Sequence, residues 1–294
     1  MRAELVNPTP LTWLLKASRP GFWPTHLWFY LLPFGRREMF GSWEFFLGCV
    51  YVCFPLGLLA YGFNDLFDAE TDRKNPRKDS WIFGACLNDE QLKRLPWWIA
   101  ASQVPFLALF VIAGGPKMLL WFAALVGSNA LYNAPPFSFK NRPVLDLLNQ
   151  TGYLLVFVLG AWLCSVPQLS WPAMTFSALF AMHCHLFGQL MDIDADLAAG
   201  RRTTASVIGI RGGKLLAAAL MLTEAAIAFV WFQGPIVAAF SALGAAIFIG
   251  DATVGFKGGR YPSAYSKGFF LGWNAVVLGS MYSVWKTGLF VLGG

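Results

Sequence analysis

The feature that most constrains the fold of this chain is a stretch of 45 residues, 147–191, that contains no Asp, Glu, Lys or Arg. Five shorter stretches share this property: 45–62, 95–116, 118–139, 225–250 and 268–285. A helix that crosses a bilayer needs roughly 20 apolar residues, and the segment from Pro167 to Pro172 divides the long stretch into two spans joined by a turn. The pattern predicts an all-α integral membrane protein and excludes a soluble enzyme.

We predict nine transmembrane helices, most of which lie in these stretches. The composition is that of a membrane protein, with 56% apolar residues, 13% charged residues and a mean hydropathy of +0.53. We expect the helices to surround a central apolar cavity with cytoplasmic loop caps, in a single domain 1–294 made of two divergent halves, about 1–140 and 141–294. The predicted limits are 11–34, 42–68, 95–113, 117–133, 146–164, 172–191, 213–232, 235–255 and 267–291.

The basic residues predict how these helices are oriented. If the N-terminus is cytoplasmic, 18 Lys and Arg residues fall on the cytoplasmic side and 4 on the opposite side, a bias of the kind that sets membrane topology. The odd number of spans then puts the C-terminus on the opposite side. Because the basic residues are spread over several short loops, topology and anionic lipid account for the net charge of +6. We expect the lipid bilayer, and no nucleic acid, as a partner.

Two acidic clusters are the chemically distinctive part of the chain. They are Asn64-Asp65-Leu66-Phe67-Asp68-Ala69-Glu70-Thr71-Asp72 and Asp192-Ile193-Asp194-Ala195-Asp196, which together hold 7 of the 16 carboxylates. Each follows a long apolar stretch, and the predicted orientation puts both at the cytoplasmic face. Since residues four apart on a helix share one face, each cluster forms a row of oxygen ligands. The two rows are Asn64, Asp68 and Asp72, and Asp192 and Asp196.

Such rows favour a cation site. Carboxylates so close together repel one another, and an unpaired charge beside a membrane is costly. Hard oxygen ligands suit Mg²⁺, which typically binds through one or two carboxylates plus substrate phosphates. We therefore predict that these five residues hold Mg²⁺ between the two rows. The alternative is a set of solvated loop acids compensated by neighbouring basic residues, namely Arg73, Lys74, Arg77 and Lys78.

Three motifs in this order resemble the UbiA superfamily of intramembrane prenyltransferases. The family's first motif is N-D-x-x-D-x-x-x-D and its second is D-x-x-x-D, and the two acidic clusters match both. A third motif, Y-x-x-P-P-x-x-x-K, is matched by Tyr132-Asn133-Ala134-Pro135-Pro136-Phe137-Ser138-Phe139-Lys140. The helix count and the motif positions also agree, so the resemblance covers nearly the whole chain.

The resemblance implies an allylic isoprenyl diphosphate held by Mg²⁺ at the acidic rows, with its isoprenoid tail in the apolar cavity. Ionising an allylic C–O bond requires metal and fixed donors to neutralise the leaving group. The residues expected to carry catalysis are Asp68, Asp72, Asp192, Asp196 and Lys140. Those expected to bind substrate are Asn64, Asp65, Tyr132, Arg142, Arg77, Lys78, Arg201 and Arg202, although inner-face topology or lipid phosphate also explains the basic ones.

Polar residues inside the spans are further candidates. His185 and Gln189 precede Asp192 and Asp196 at spacings of four, three and four, so a polar stripe leads from the membrane interior to the second acidic row. His185 could orient the acceptor or water, or it could be a histidine hydrogen-bonded between helices. Glu224, near the middle of another span, is either protonated and hydrogen-bonded or faces a cavity.

Local strings most resemble the carotenoid (lycopene) elongase branch of the superfamily. They are Asn64-Asp65-Leu66-Phe67-Asp68, Asn75-Pro76-Arg77-Lys78 and Phe139-Lys140-Asn141-Arg142-Pro143. Members of that branch attach a five-carbon unit to a long polyene, and water captures the resulting tertiary cation. The resemblance thus implies a lipophilic acceptor, and a carotenoid such as lycopene is the one that this branch would use.

Three other functions remain open. A longer polyprenyl chain could be transferred to an aromatic or quinone precursor, or a UbiA-type terpene cyclase could let the cation attack its own chain. A cation-coupled transporter belongs to a different class. Transporters carry polar sites near the bilayer midplane, whereas both acidic rows here lie at one interface, which favours an enzyme.

Overall fold

The computed structural model describes residues 9–73, 78–255 and 261–292, and nearly all of them lie in helices or short turns. The helices are α1 Pro10–Ala17, α2 Trp23–Leu31, α3 Trp43–Gly57, α4 Phe63–Asp72, α5 Asp89–Gly114, α6 Lys117–Asn133, α7 Leu145–Leu148, α8 Leu155–Leu163, α9 Trp171–Ala198, α10 Thr204–Val230, α11 Pro235–Thr253, α12 Ser263–Thr287 and α13 Leu289–Leu292. Short 3₁₀ turns cover Pro20–Phe22, Leu32–Phe34, Phe139–Asn141 and Asn149–Leu154.

The predicted first helix, 11–34, is wrong as a continuous helix. Arg19 has a φ of 51° and stands directly before Pro20, so the chain turns between α1 and α2. Proline disfavours helical backbone in the residue before it and cannot donate to the previous turn, which explains the break. Arg19 therefore lies in the connection between α1 and α2, and not inside a continuous helix.

The helix that carries the first motif is longer than the predicted 42–68. It runs from Trp43 to Asp72, and the segment Leu58–Gly62 is a π-helical turn between α3 and α4. Pro55 lies inside α3, three residues before this turn. Since proline removes one intrahelical hydrogen bond, the regular hydrogen bonding of α3 is already interrupted at Pro55. Short π-helical turns of this kind are frequent at functional sites.

The other predicted limits agree to different degrees. The prediction 117–133 coincides with α6, whereas 146–164 is interrupted by the 3₁₀ turn at Asn149–Leu154. The second acidic motif lies inside α9, which continues to Ala198. Helix α10 begins nine residues earlier than predicted and is kinked at Gly209, whose φ is 73°.

Five of the described helical stretches are long and apolar enough to cross a membrane: Trp43–Asp72, Asp89–Gly114, Leu145–Leu163, Thr204–Val230 and Pro235–Thr253. Helix α9 packs against α10, and α10 against α11, while α2 packs against α3, α8 and α12. Buried aromatic side chains fill the space between these helices and include Trp28, Phe29, Tyr30, Phe157, Phe176 and Phe180. The C-terminal ends of α4 and α9 thereby lie together at one end of an apolar bundle.

Candidate active site

The two acidic clusters line one cleft. Its volume is about 130 Å³, and one wall is α4 while the facing wall is α9. The lining residues are Arg19, Asn64, Asp68, Thr71, Asp72, Lys78, Phe83, Asp192, Ala195, Asp196 and Arg201. All five residues predicted to hold Mg²⁺ are in this set. The spacing of four residues on each helix therefore presents both rows to the same space.

Asp68 is the most heavily engaged carboxylate of the first row. It is 5% exposed, and its Oδ1 accepts from Lys140 Nζ at 2.6 Å and from Arg201 at 2.5 Å. Its Oδ2 accepts from the Asn64 amide at 2.8 Å, one helical turn earlier. Charge-assisted contacts of this length are the stronger class of hydrogen bond. Asp68 thus links α4 to two distant loops.

Asp65 and Asp72 hold cationic side chains at the other end of the cleft. Lys78 Nζ lies 2.8 Å from Asp65 Oδ1 and 2.7 Å from Asp72 Oδ2. Arg19 donates to the same Asp65 Oδ1 at 3.2 Å. Asp65 is buried and does not line the cleft, whereas the two cations that it contacts do. Its position is that of an anchor behind Arg19 and Lys78.

A tight turn after α9 brings Arg201 back to the acidic rows. Gly200 has a φ of 69°, a left-handed conformation that glycine adopts without a Cβ clash, and the Arg201 amide donates to the Asp196 carbonyl at 2.8 Å. The guanidinium then lies 2.5 Å from Asp68 and 3.5 Å from Asp196. Arg201 joins the two rows across the cleft, while the adjacent Arg202 is exposed.

The third motif brings Lys140 to Asp68, one of the residues that line the cleft. Lys140 is buried, and its Nζ also donates to the Asn133 Oδ1 at 3.2 Å. Burial lowers the pKa of the Lys140 ammonium from its ordinary value, while the neighbouring Asp68 carboxylate opposes this shift. Arg142, two residues on, is not part of this arrangement, because it donates to the Pro136 carbonyl at 2.7 Å at an exposed position.

The remaining predicted residues are divided between two regions. The Tyr132 hydroxyl lies 3.2 Å from His185 Nε2, so α6 and α9 meet through this pair. Gln189 does not line the cleft. Its Nε2 donates to Asp146 Oδ2 at 2.7 Å, and its Oε1 accepts from the Ala205 amide at 3.1 Å. Arg77 lies outside the described residues.

Sequence reasoning missed Asp146, which holds the loops around the site together. This carboxylate is fully buried and accepts from the Thr204 amide at 2.6 Å, the Thr204 hydroxyl at 2.5 Å and Gln189 Nε2. It thereby ties α7 to α9 and to the start of α10. The available signal was its position, because Asp146 directly precedes the uncharged stretch 147–191. A carboxylate buried at such a position needs hydrogen-bonding partners.

Arg19 was also missed as a member of the cleft. Its guanidinium lies 4.6 Å from the centroid of the Tyr61 ring in addition to its contact with Asp65. The loop after the first motif docks beside it, because the Gly21 amide donates to the Trp81 carbonyl at 3.2 Å. An arginine before a proline inside an apolar segment was the available signal.

The fold and the cleft define a helical membrane enzyme with opposed oxygen-rich rows, and sequence comparison identifies its class. The UbiA prenyltransferase family matches residues 22–286. The chain belongs to this family and is a multi-pass membrane prenyltransferase. The resemblance read from the three motifs is confirmed.

Particular relatives refine this assignment. The chain is 33% identical to a lycopene elongase/hydratase of Corynebacterium glutamicum over 228 residues, 76% of each chain. It is 31% identical to a lycopene elongase/hydratase of Haloarcula japonica over 68% of each chain. A UbiA homolog from Archaeoglobus fulgidus bound to DMAPP and Mg²⁺ has a TM-score of 0.70 at 19% identity and covers 92% of this chain and 98% of that one. The structural likeness establishes the fold.

Proposed function

We propose that this protein is a Mg²⁺-dependent prenyltransferase that ionises an allylic isoprenyl diphosphate and adds a five-carbon unit to a carotenoid such as lycopene, with water capturing the product cation. The observation that carries the proposal is the single cleft between α4 and α9, where both acidic rows meet three cationic side chains, those of Arg19, Lys78 and Arg201. Mixed charge of this kind suits a metal diphosphate, because neither a bare anion nor a bare cation would satisfy both sets of groups.

The donor set fits Mg²⁺. Four Asp carboxylates and the Asn64 side chain supply only hard oxygen and amide groups, and all of them line the cleft. In the part of the chain that the structure describes, no three His, Cys, Asp or Glu side chains lie close enough together to hold a metal ion by themselves. A Mg²⁺ ion bound through one or two carboxylates plus substrate phosphates does not need such a group. The ion would supply charge neutralisation for the leaving diphosphate.

The cationic residues act on the diphosphate directly. Arg201 and Lys140 converge on Asp68 from two different loops, and Arg19 and Lys78 converge on Asp65 at the far end. These four side chains already donate to carboxylate oxygens, so they are largely desolvated before a diphosphate binds. When a diphosphate occupies the cleft, they can donate to its phosphate oxygens instead, with little further loss of hydration. We assign them to holding the leaving group, and we assign Asp65 to positioning two of them.

The named relatives favour a carotenoid acceptor. Lycopene elongase/hydratases from a bacterium and an archaeon match more than two thirds of this chain at 31–33% identity. A protein of Dietzia sp. named for C(50) beta-cyclic carotenoid biosynthesis is 30% identical over 70% of this chain. Stacked and edge-on rings, including Trp28, Phe29, Phe157 and Phe180, make the interior of the bundle apolar and aromatic, which suits a hydrophobic acceptor.

We further propose nine spans with a cytoplasmic N-terminus, cytoplasmic loop caps over the cleft and the C-terminus on the opposite side, in one domain of two divergent halves. The distribution of basic residues supports this orientation. The clustering of Arg19, Lys78, Lys140 and Arg201 at the cleft supports it further, because the same face then carries both the positive charge and the site.

The function is tested by incubating the purified protein in lipid nanodiscs with Mg²⁺, lycopene and labelled allylic diphosphates of graded length. We expect diphosphate release only with Mg²⁺, its abolition by EDTA and its recovery when Mg²⁺ is restored in excess. Mass spectrometry should show a polyene that has gained five carbons and a hydroxyl. Absence of Mg²⁺-dependent release with every donor would refute the proposal, and a labelled phenol or quinone would identify a different acceptor.

Lys140 and Arg142 form a matched pair for a test of the third motif. Lys140→Met removes a buried ammonium beside Asp68, so we expect diphosphate release to slow by about 100-fold. Arg142→Met removes an exposed group that donates to the Pro136 carbonyl, so we expect a change of less than about 3-fold. Single-turnover release kinetics measure both. Equal losses in the two variants would show that Arg142 also contacts the diphosphate.

A further inference from the structure

Three polar side chains form a hydrogen-bonded chain inside the apolar bundle, next to the cleft. His26 Nδ1 lies 2.9 Å from the Val52 carbonyl oxygen, and His26 Nε2 lies 3.1 Å from the Tyr61 hydroxyl. The Tyr61 hydroxyl in turn lies 3.2 Å from the Tyr153 hydroxyl. None of these residues belongs to the three family motifs.

The direction of these hydrogen bonds follows from the chemistry of the groups. A carbonyl oxygen can only accept, so Nδ1 of His26 carries the hydrogen that points to Val52. In a neutral imidazole Nε2 is then the acceptor, and the Tyr61 hydroxyl donates to it. The Tyr61 oxygen consequently accepts from the Tyr153 hydroxyl. The chain runs from Tyr153 through Tyr61 to His26, and each hydroxyl is oriented to pass a proton inward.

The two ends of the chain differ in access. His26 is 1% exposed, whereas Tyr61 and Tyr153 are only partly buried. In the part of the chain that the structure describes, no side chain donates a hydrogen bond to the Tyr153 oxygen, so that oxygen can accept from a small molecule. The Arg19 guanidinium lies over the Tyr61 ring at 4.6 Å from its centroid, which places the relay beside the cleft.

We propose that the chain Tyr153–Tyr61–His26 is the proton acceptor for the water that captures the product cation. The inference rests on the proposed function, since it names the groups that complete the hydration step. A dry, aromatic interior contains few other acceptors, and a relay that ends on a sealed histidine keeps the accepted proton away from the cation.

The step balances in atoms and charge. A lone pair of water forms the C–O bond to the tertiary carbocation and yields an oxonium ion. The oxonium ion passes a proton to the Tyr153 oxygen, Tyr153 passes its own proton to Tyr61, and Tyr61 passes its own to His26 Nε2. The products are a tertiary alcohol and a His26 imidazolium whose Nδ1 hydrogen still points to the Val52 carbonyl. Without the relay, the oxonium ion reverts to water and the cation, which then loses a carbon-bound proton to the released diphosphate and becomes an alkene.

The test uses Tyr153→Phe and Tyr61→Phe in nanodiscs with Mg²⁺, dimethylallyl diphosphate and lycopene. Each variant keeps the ring, with its contacts to His26, and removes one link of the relay. We expect the ratio of hydroxylated to alkene product to fall by about 10-fold or more, while diphosphate release stays within about 3-fold of the wild type. Mass spectrometry separates the products by one water.

Tyr51→Phe is the matched control, because Tyr51 is a buried tyrosine whose hydroxyl donates to Gln103 at 2.8 Å and not to a relay side chain. Its product ratio should not change. An unchanged ratio in both relay variants, with normal diphosphate release, would overturn the inference. Loss of folding in one variant leaves the other as the test, and His26→Asn removes the terminal acceptor independently. Failure of the wild type to release diphosphate would instead refute the proposed function itself.

Discussion

Replacing either Asp68 or Asp192 by Asn is expected to slow Mg²⁺-dependent diphosphate release by about 100- to 1,000-fold. The two residues come from opposite walls of the cleft, α4 and α9. Each substitution preserves the shape of the side chain and removes one negative charge from the metal ligands. The loss of diphosphate release therefore measures the contribution of that charge. Because the proposed site needs both walls, the two variants should lose similar activity although they are 124 positions apart in the chain.

Two exposed acids on the same helices serve as controls. Glu70→Gln lies on α4, two residues after Asp68, and Asp194→Asn lies on α9, two residues after Asp192. We expect both to stay within about 3-fold of the wild type, since exposed charges act weakly through solvent. Titration of Mg²⁺ against release rate, with size-exclusion profiles to show folding, measures all four variants. Activity near the wild type in Asp68→Asn and Asp192→Asn would rule out the acidic rows as the metal site.

The second large effect is expected at Asp146 and concerns stability. Asp146→Ala leaves the Thr204 amide, the Thr204 hydroxyl and the Gln189 amide without their acceptor in a buried position. Unsatisfied buried donors cost about 1–3 kcal/mol each, so we expect the free energy of unfolding to fall by about 3 kcal/mol or more. Thermal unfolding followed by intrinsic fluorescence should show a Tm lower by at least about 5 °C.

Asp79→Ala is the control for this measurement. Asp79 pairs with Lys16 at 3.0 Å, but its side chain is 64% exposed. Exposed ion pairs contribute about 0–1 kcal/mol, so the Tm should hardly move. A fall in Tm for Asp146→Ala no larger than that of Asp79→Ala would mean that the carboxylate does not hold α7, α9 and α10 together.

Much of the helix order could be predicted because uncharged runs of bilayer length have few alternatives. Helix α6 has the predicted limits, 117–133, and the limits of α5 and α11 differ from the predicted ones by only a few residues at most ends. The break at Arg19 was missed although Pro20 is a local signal for it. The interruption at Asn149–Leu154 could not be placed, since an uncharged segment is equally compatible with α and 3₁₀ turns, and its position depends on which neighbouring helices satisfy the freed backbone groups.

The candidate site likewise contains some features that the sequence predicts and others that it does not. The spacing of Asn64, Asp68 and Asp72 predicts one face of a helix, and the structure places that face opposite Asp192 and Asp196. The roles of single basic residues could not be separated beforehand, because Lys140 and Arg142 have the same charge and nearly the same position in the chain. Burial beside Asp68 distinguishes Lys140 from Arg142, whose guanidinium turns to the Pro136 carbonyl.

By itself, the sequence determined that this protein is a helical membrane protein with two acidic rows, because run length, helical periodicity and spacing are local properties, and the order of its three motifs resembles that of the UbiA prenyltransferases. Only the tertiary structure decided that Arg19, Lys78 and Arg201 join those rows, that Asp146 ties three helices together, and that His26, Tyr61 and Tyr153 form one chain. These contacts connect residues as much as 133 positions apart, and the packing of helices, which no local pattern encodes, brings them within hydrogen-bonding distance.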